Sequence, residues 1–249
     1  MTDPITQESG TSVGTSVGTS LSNSVLVMVI GKSGRGKSTA IRTLPPDKTF
    51  VLNVVGKALP FTGGVNYQEN QNMKSTPDAT QIMSIMTKLS QAGKANYIVI
   101  DDAHYIMASE FMAKALVKGY DKYSIMANNM WNLLTAASKL RGGLKVFFLT
   151  HEEDTGTERK MKTLGKLLDE KITPEGLSTI VLFAETSMTE ANKRQYYLST
   201  QTDGATNAKS PMGMFPPQIP NDLKLIADRI DEYYKGVSLE ESKLNFDLT

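Results

Sequence analysis

The residues best suited to chemistry lie together in Gly31-Lys32-Ser33-Gly34-Arg35-Gly36-Lys37-Ser38-Thr39, which matches the pattern G-x-x-x-x-G-K-[ST]. Glycines at that spacing let the backbone curl so that successive N–H groups converge on phosphate oxygens, at the positive end of the helix expected to follow. Lys37 would then reach the β- and γ-phosphates as a point charge, and Ser38 would offer its hydroxyl to Mg2+. The competing explanation is a chance match, which in a chain of this length has a probability on the order of one per cent when about 7 % of residues are glycine.

A magnesium site of this kind also needs a carboxylate at the end of a neighbouring buried strand. Asn96-Tyr97-Ile98-Val99-Ile100-Asp101-Asp102 supplies two. Asp101 is expected in the Mg2+ shell, through water, and Asp102 could polarise the attacking water as a general base. The plainer reading of the pair is a solvated turn after a strand. His104 could touch the site or simply start the next helix at the surface. A second strand end, Val146-Phe147-Phe148-Leu149-Thr150, runs into His151-Glu152-Glu153. His151 is a candidate sensor of the γ-phosphate and Glu152 a second candidate base; alternatively these residues only begin a solvent loop.

The elements that must position these groups follow from the apolar pattern. Val25-Leu26-Val27-Met28-Val29-Ile30 is a continuous run of the kind found in strands buried on both faces of a parallel sheet. Similar runs occur at residues 49–55, 97–100 and 146–150, with helical patterning at 78–92 and 106–140. A helix is expected from Lys37 to just before Pro45-Pro46. Residues 180–184 read as a fifth strand and 195–200 as a sixth, paired with it through a polar turn. A last amphipathic helix is expected from Asn221, as N-cap, to Tyr234, with Leu223, Ile226 and Ile230 on one face. Strands alternating with helices predict an α/β fold of three layers, with a mainly parallel central sheet and a late β-hairpin. Residues 24–236 are expected to form the single domain, preceded by a disordered polar tail over 1–23 and followed by a C-terminal tail over 237–249.

Composition removes several classes of function. The formal net charge is only +1, so no global field draws the protein to nucleic acid or membrane. Cysteine is absent, which rules out disulfides and thiolate chemistry, and two histidines make a histidine-rich zinc site improbable. No apolar run approaches the ~20 residues that span a bilayer, and a cytoplasmic location is expected. Guanine specificity is also disfavoured, because Asn192-Lys193-Arg194-Gln195 lacks the Asp of the usual Asn-Lys-x-Asp, and no arginine-rich kinase lid is evident.

Over about residues 26–234 the order of these parts resembles the RecA-like P-loop ATPases, and among them the phage proteins related to Sak-type single-strand annealing recombinases. The stretches that carry the resemblance are the Walker A sequence at 31–39, the Walker B strand at 97–102, the polar strand end Thr150-His151, and Ala208-Lys209-Ser210 after the hairpin. The resemblance implies a homo-oligomer with nucleotide at its interfaces, ATP and Mg2+ as cofactors, and work on single-stranded DNA beside replication or recombination proteins. It also implies that Lys209 reaches the γ-phosphate of a neighbouring subunit, although the arginine that often follows two residues on is replaced by Pro211. A second departure is the end of the second strand, where the family often places a catalytic glutamate and this chain reads Val54-Val55-Gly56-Lys57. The DNA-contacting loop would correspond to the segment after His151, with Arg159, Lys160, Lys162 and Lys166. Four acidic residues, Glu152, Glu153, Asp154 and Glu158, offset that charge, and no aromatic residue is present there for base stacking. Two functions stay open: an ATPase acting on DNA, and an ATP-gated interaction protein with little turnover.

Overall fold

The computed structural model describes residues 21–116, 118–119, 121–165, 167 and 172–248. Its framework is a mainly parallel sheet between two helical layers. In chain order the elements are β1 (Val25–Ile30), β2 (Thr49–Asn53), β3 (Met73–Ser75), α1 (Ala79–Ala92), β4 (Tyr97–Asp101), α2 (His104–Ala113), α3 (Asp121–Ala137), β5 (Lys145–Thr150), β6 (Glu152–Asp154), β7 (Arg159–Met161), β8 (Ile180–Met188), β9 (Arg194–Ser199), β10 (Gln218–Pro220) and α4 (Leu223–Tyr234). The main sheet has the order β10-β9-β8-β1-β5-β4-β2-β3, with β9 antiparallel to both its neighbours and the strands from β8 to β3 parallel.

The alternation of side chains along β1 explains why both faces are covered. Leu26, Met28 and Ile30 pack with Ile98, Ile100 and Phe148 under Ile82, Met86, Met130 and Leu133 of α1 and α3. Val25, Val27 and Val29 face the other way, with Val99, Phe147 and Leu149, under Ile41, Leu44 and the Leu223, Ile226 and Ile230 stripe of α4. Each such aliphatic or aromatic side chain, fully buried, contributes about 1.5–3 kcal/mol of transfer free energy. β1 leads toward β2 on one side and β5 leads toward β8 on the other, so the carboxyl ends of β1, β4 and β5 flank a crevice where the winding reverses.

Several local expectations are revised. The helix after the glycine-rich loop is a short 3-10 segment, Ser38–Thr43, because Pro45 and Pro46 stop it and Thr43 Oγ1 bonds back to Ala40 O at 2.9 Å. Little macrodipole therefore acts on an anion here, and the loop N–H groups and Lys37 carry that task instead. The second strand ends at Asn53 rather than residue 55, since the Asn53 side chain accepts from Gly56 N at 3.0 Å and donates to Lys57 O at 2.7 Å, folding the chain into a turn with Gly56 at φ 73°. The helical pattern over 106–140 divides into α2 and α3. The cap of α4 is Asp222, which accepts from Leu225 N at 2.9 Å; Asn221 is one residue too early and bonds elsewhere.

Of the expected N-terminal tail, residues 1–20 lie outside the described residues, while Leu21 packs on the core and Asn23 bridges to Arg141. The segment after α4 folds back, with Phe246 edge-on to Phe215 at 6.4 Å. It is held by Arg229, a fully buried guanidinium that donates to Met214 O at 2.6 Å, Gly213 O at 3.2 Å and Val237 O at 3.1 Å. Among the described residues no helix is long and apolar enough to cross a membrane. Truncation of Arg229 leaves the buried Met214 carbonyl without its donor and empties a fully buried site, so Arg229→Ala should lower unfolding stability by about 2 kcal/mol, read by denaturant titration, and Arg229→Lys should recover only part of it.

Candidate functional site: a glycine-rich loop over two carboxylates

The loop begins where β1 ends, and its first residue shows how little room there is. Gly31 N donates to Thr150 O of β5 at 3.2 Å, and a Cβ on Gly31 would sit 2.9 Å from Ala184 O of β8. Gly34 and Gly36 then take φ of 78° and 83°, values that glycine adopts without strain and that turn neighbouring N–H groups toward one side. A Cβ on Gly34 would meet nothing within 4 Å, so that side of the loop is open. A Cβ on Gly36 would strike Asn221 Nδ2 at 2.5 Å and Tyr196 Cδ1 at 2.9 Å. Beside the loop is a cavity of about 620 Å3 lined by Ser33, Gly34, Gly36, Lys37, Ser38, Thr39 and Arg42, by Lys57, Asp102 and His151, and by Tyr196 and Asn221.

Lys37 is buried, and its ammonium donates to the loop carbonyls of Gly31 at 2.6 Å and Lys32 at 3.0 Å. Burial lowers its pKa to about 8 against the opposing pull of Asp102 and Asp101. Ser38 Oγ donates to Asp101 Oδ1 at 2.7 Å, which brings together the two groups expected around Mg2+. Asp101 is 1 % exposed, and burial pushes its pKa up to about 6 in spite of the Ser38 bond. Among the described residues no cluster of three or more His, Asp or Glu forms a self-contained metal site. A hydroxyl and a single carboxylate suit Mg2+, a hard cation that keeps several waters and shares phosphate oxygens. The donor set therefore fits a magnesium nucleotide, with Ser38 and Asp101 as its protein partners and the loop N–H groups and Lys37 on the phosphates.

Asp102 follows in the left-handed region, at φ 57°, a conformation that aspartate tolerates better than most residues. The turn aims its carboxylate along the cavity wall, where it ion-pairs with Lys57 Nζ and lies 3.3 Å from His151 Nε2. Burial alone would raise its pKa, but the His151 and Lys57 hydrogen bonds outweigh it and hold the group at about 2. A carboxylate this acidic is a weak proton acceptor. Asp102 is thus at the position expected of a water-orienting group, but poorly poised as a base in this state. His151 lines the cavity as expected. Its ring packs edge-on against Tyr105 at 5.7 Å and His104 at 5.9 Å. His104 is buried rather than on the surface, with Nδ1 lacking a partner, and burial lowers its pKa.

Other expected residues point away from the cavity. Lys32 lies 3.6 Å from both Glu152 and Asp154, and Arg35 ion-pairs with Glu185. Glu152 is buried between Lys32 and Arg159, which is 3.8 Å away, and does not line the cavity. Arg159 also pairs with Glu185 and lies over the Phe183 ring at 5.5 Å, so it braces the β6–β7 hairpin against β8 instead of projecting as a free basic contact. Lys160 lies opposite Glu153 in that hairpin, Lys162 is exposed just beyond it, and Lys166 lies outside the described residues. Lys209 exchanges backbone bonds of 2.8 and 2.9 Å with Val181 on the flank of β8 and does not line this chain's own cavity.

Sequence reasoning missed Lys57, Arg42, Tyr196 and Asn221 as cavity residues, and Glu185 as the partner of Arg35. Tyr196 follows from the strand period: Leu198, two residues on, is buried with Ile41 and Ile219, and Tyr196 continues that face past the rim of the core. Asn221 was seen only as a cap, and instead donates to Gly36 O at 2.9 Å.

The raised pKa of Asp101 has a testable sign. Its charged form is penalised in the fold, so the penalty is absent below the ordinary carboxylate pKa of 3.8 and grows as pH rises through about 6, reaching on the order of 3 kcal/mol. Asp101→Asn should therefore melt above the unaltered protein at pH 7.5, with the difference shrinking toward pH 4, while Mg2+-dependent nucleotide binding is lost. A melting advantage independent of pH would contradict this account.

Comparison with known families gives one match: a family model described as an AAA domain aligns with residues 23–212, a span that holds the loop, both carboxylates, His151 and Lys209. No curated protein sequence matches the chain. The matched span covers most of the chain and contains the whole phosphate loop with its Ser38–Asp101 pair, and on that basis the chain belongs to the AAA domain family of P-loop ATPases.

Proposed function

We propose that this chain binds Mg2+ and ATP at the loop and hydrolyses the γ-phosphate slowly, as a homo-oligomer working with single-stranded DNA in phage-type recombination, repair or replication. The observation that carries the nucleotide reading is the Ser38–Asp101 hydrogen bond of 2.7 Å at the foot of a loop whose lysine is held on its own carbonyls. The loop N–H groups and Lys37 would hold the phosphates, with Lys37 giving up the Gly31 and Lys32 carbonyls. When bound, Mg2+ supplies charge neutralisation across the β- and γ-phosphate oxygens. Asp102 and His151, which also line the cavity, would orient water there. Tyr196 offers an aromatic face and Arg42 a planar cation in the same cavity, suited to a nucleobase.

The DNA part of the proposal rests on the family resemblance and on the exposed Lys162 just beyond the hairpin, while Arg159 is engaged by Glu185 and Glu152. One observation favours a second reading, an ATP-gated interaction protein with little turnover: Asp102, the cavity carboxylate best placed to activate water, is neutralised by Lys57.

Steady-state ATP hydrolysis, measured with and without single-stranded DNA at low and moderate salt, separates the two. Stimulation by DNA that weakens with salt, and that Lys37→Ala abolishes, is the expected result. Nucleotide binding with flat turnover would shift the assignment to the gated interaction protein, and turnover unchanged in Lys37→Ala would remove the phosphate site altogether. For Lys209, mixing Lys209→Ala with Lys37→Ala chains should restore part of the activity if the lysine acts across an interface; absence of any rescue counts against that role.

A further inference from the structure

Lys57 has no part in holding the loop or the magnesium ligands, yet the fold takes care over where it stands. Asn53, buried at the end of β2, bonds both Gly56 N and Lys57 O, so the backbone of Lys57 is fixed at the cavity wall while its side chain stays half exposed. The ammonium is on Asp102 Oδ2, an oxygen with no other hydrogen-bond partner. Lys57 lines the cavity with Lys37 and Ser38 and lies within electrostatic reach of Lys37, Asp101 and Asp102. Lys57 therefore stands among the groups expected to meet phosphate and Mg2+.

The charges here balance without a ligand: Lys37 and Lys57 interact with Asp101 and Asp102. A terminal phosphate adds negative charge that Mg2+ and Lys37 share with the β-phosphate. Of the other cations lining the cavity, Arg42 donates to Thr39 O, whereas Lys57 stands on Asp102 beside Lys37, on a four-carbon stem with a fixed root, and a phosphate oxygen can replace Asp102 as its partner without leaving the ammonium unpaired. Resting on the reading of the loop as an ATP site, we propose that Lys57 is a γ-phosphate ligand supplied by the same chain, leaving Asp102 when ATP binds and returning to it when ADP remains. The exchange makes the site sense the third phosphate. It also frees the Asp102 carboxylate, with His151 beside it, only while that phosphate is present.

The test is equilibrium binding, with Mg2+, of ADP and of the non-hydrolysable β,γ-imido analogue of ATP to the full chain and its variants. Lys57→Met should weaken the analogue on the order of tenfold or more while leaving ADP within about twofold, as expected for loss of one charge-assisted bond to the third phosphate, and Lys57→Arg should recover much of the loss. If Lys57 serves only to cancel the charge of Asp102, adding Asp102→Asn to Lys57→Met will restore analogue binding; as a phosphate ligand its selective loss persists in the double variant. Should Lys57→Met fail to fold, Lys57→Gln carries the same comparison. Equal loss for both nucleotides, no loss for either, or rescue by Asp102→Asn overturns the assignment while leaving the ATP site intact. Binding of neither nucleotide by the unaltered chain overturns the ATP reading and this inference with it.

Discussion

Everything in the site is measured from the carboxyl end of β1, which has almost no freedom. The strand is bonded to β5 on one edge and β8 on the other and is covered on both faces, so the chain must leave through the gap between two neighbours. That gap admits only glycine at residue 31, against the Ala184 carbonyl. The exit sets the loop over the ends of β4 and β5, and Asp101, Asp102 and His151 come within its reach because those strands lie in parallel register beside β1. A rigid core thus fixes the origin of a backbone cradle whose own residues contribute few side chains.

Burial then acts on each ionisable group in turn. Asp101 and Lys37, opposite in charge, are both driven toward their neutral forms, to about 6 and about 8, and a cation beside the one or an anion beside the other would restore the charge. Asp102, the next residue, is driven the other way, to about 2, because its partners outweigh its burial. The two consecutive carboxylates therefore stand in opposite electrostatic environments. The left-handed backbone of Asp102 makes the difference possible, since it sends the second carboxylate toward Lys57 and His151 while the first stays under Ser38.

The central strands and the phosphate loop were legible in the sequence, because a double-sided apolar run and a glycine-lysine spacing are local signals tied directly to their physical cause. So was the pairing of the loop with Asp101. What could not be read were contacts made across long sequence separations. Glu185 shows no local sign that it will hold Arg35 and Arg159, and Arg159 looks like a solvent cation until Phe183 and Glu152 are placed beside it. Asn221 has the right chemistry for a cap, but the approach of Gly36 claims its amide. Lys57 was visible only as a departure from a family pattern; the Asn53 turn that aims it depends on side-chain bonds that no periodicity encodes. The 3-10 segment after the loop was misjudged because two prolines shorten it below the length at which an α-helix is worth forming.

The flanks of the sheet carry a consequence for how this protein can meet other chains. Both outer strands, β3 and β10, are only three residues long; one contains Lys74 and the other ends in Pro220, which has no N–H to donate. Short borders with a charge or a proline are poor templates for adding a strand from outside. Growth of the main sheet from copy to copy is thereby blunted at both margins, and any association along those margins would fall to side-chain surfaces, where sequence rather than backbone decides the partner.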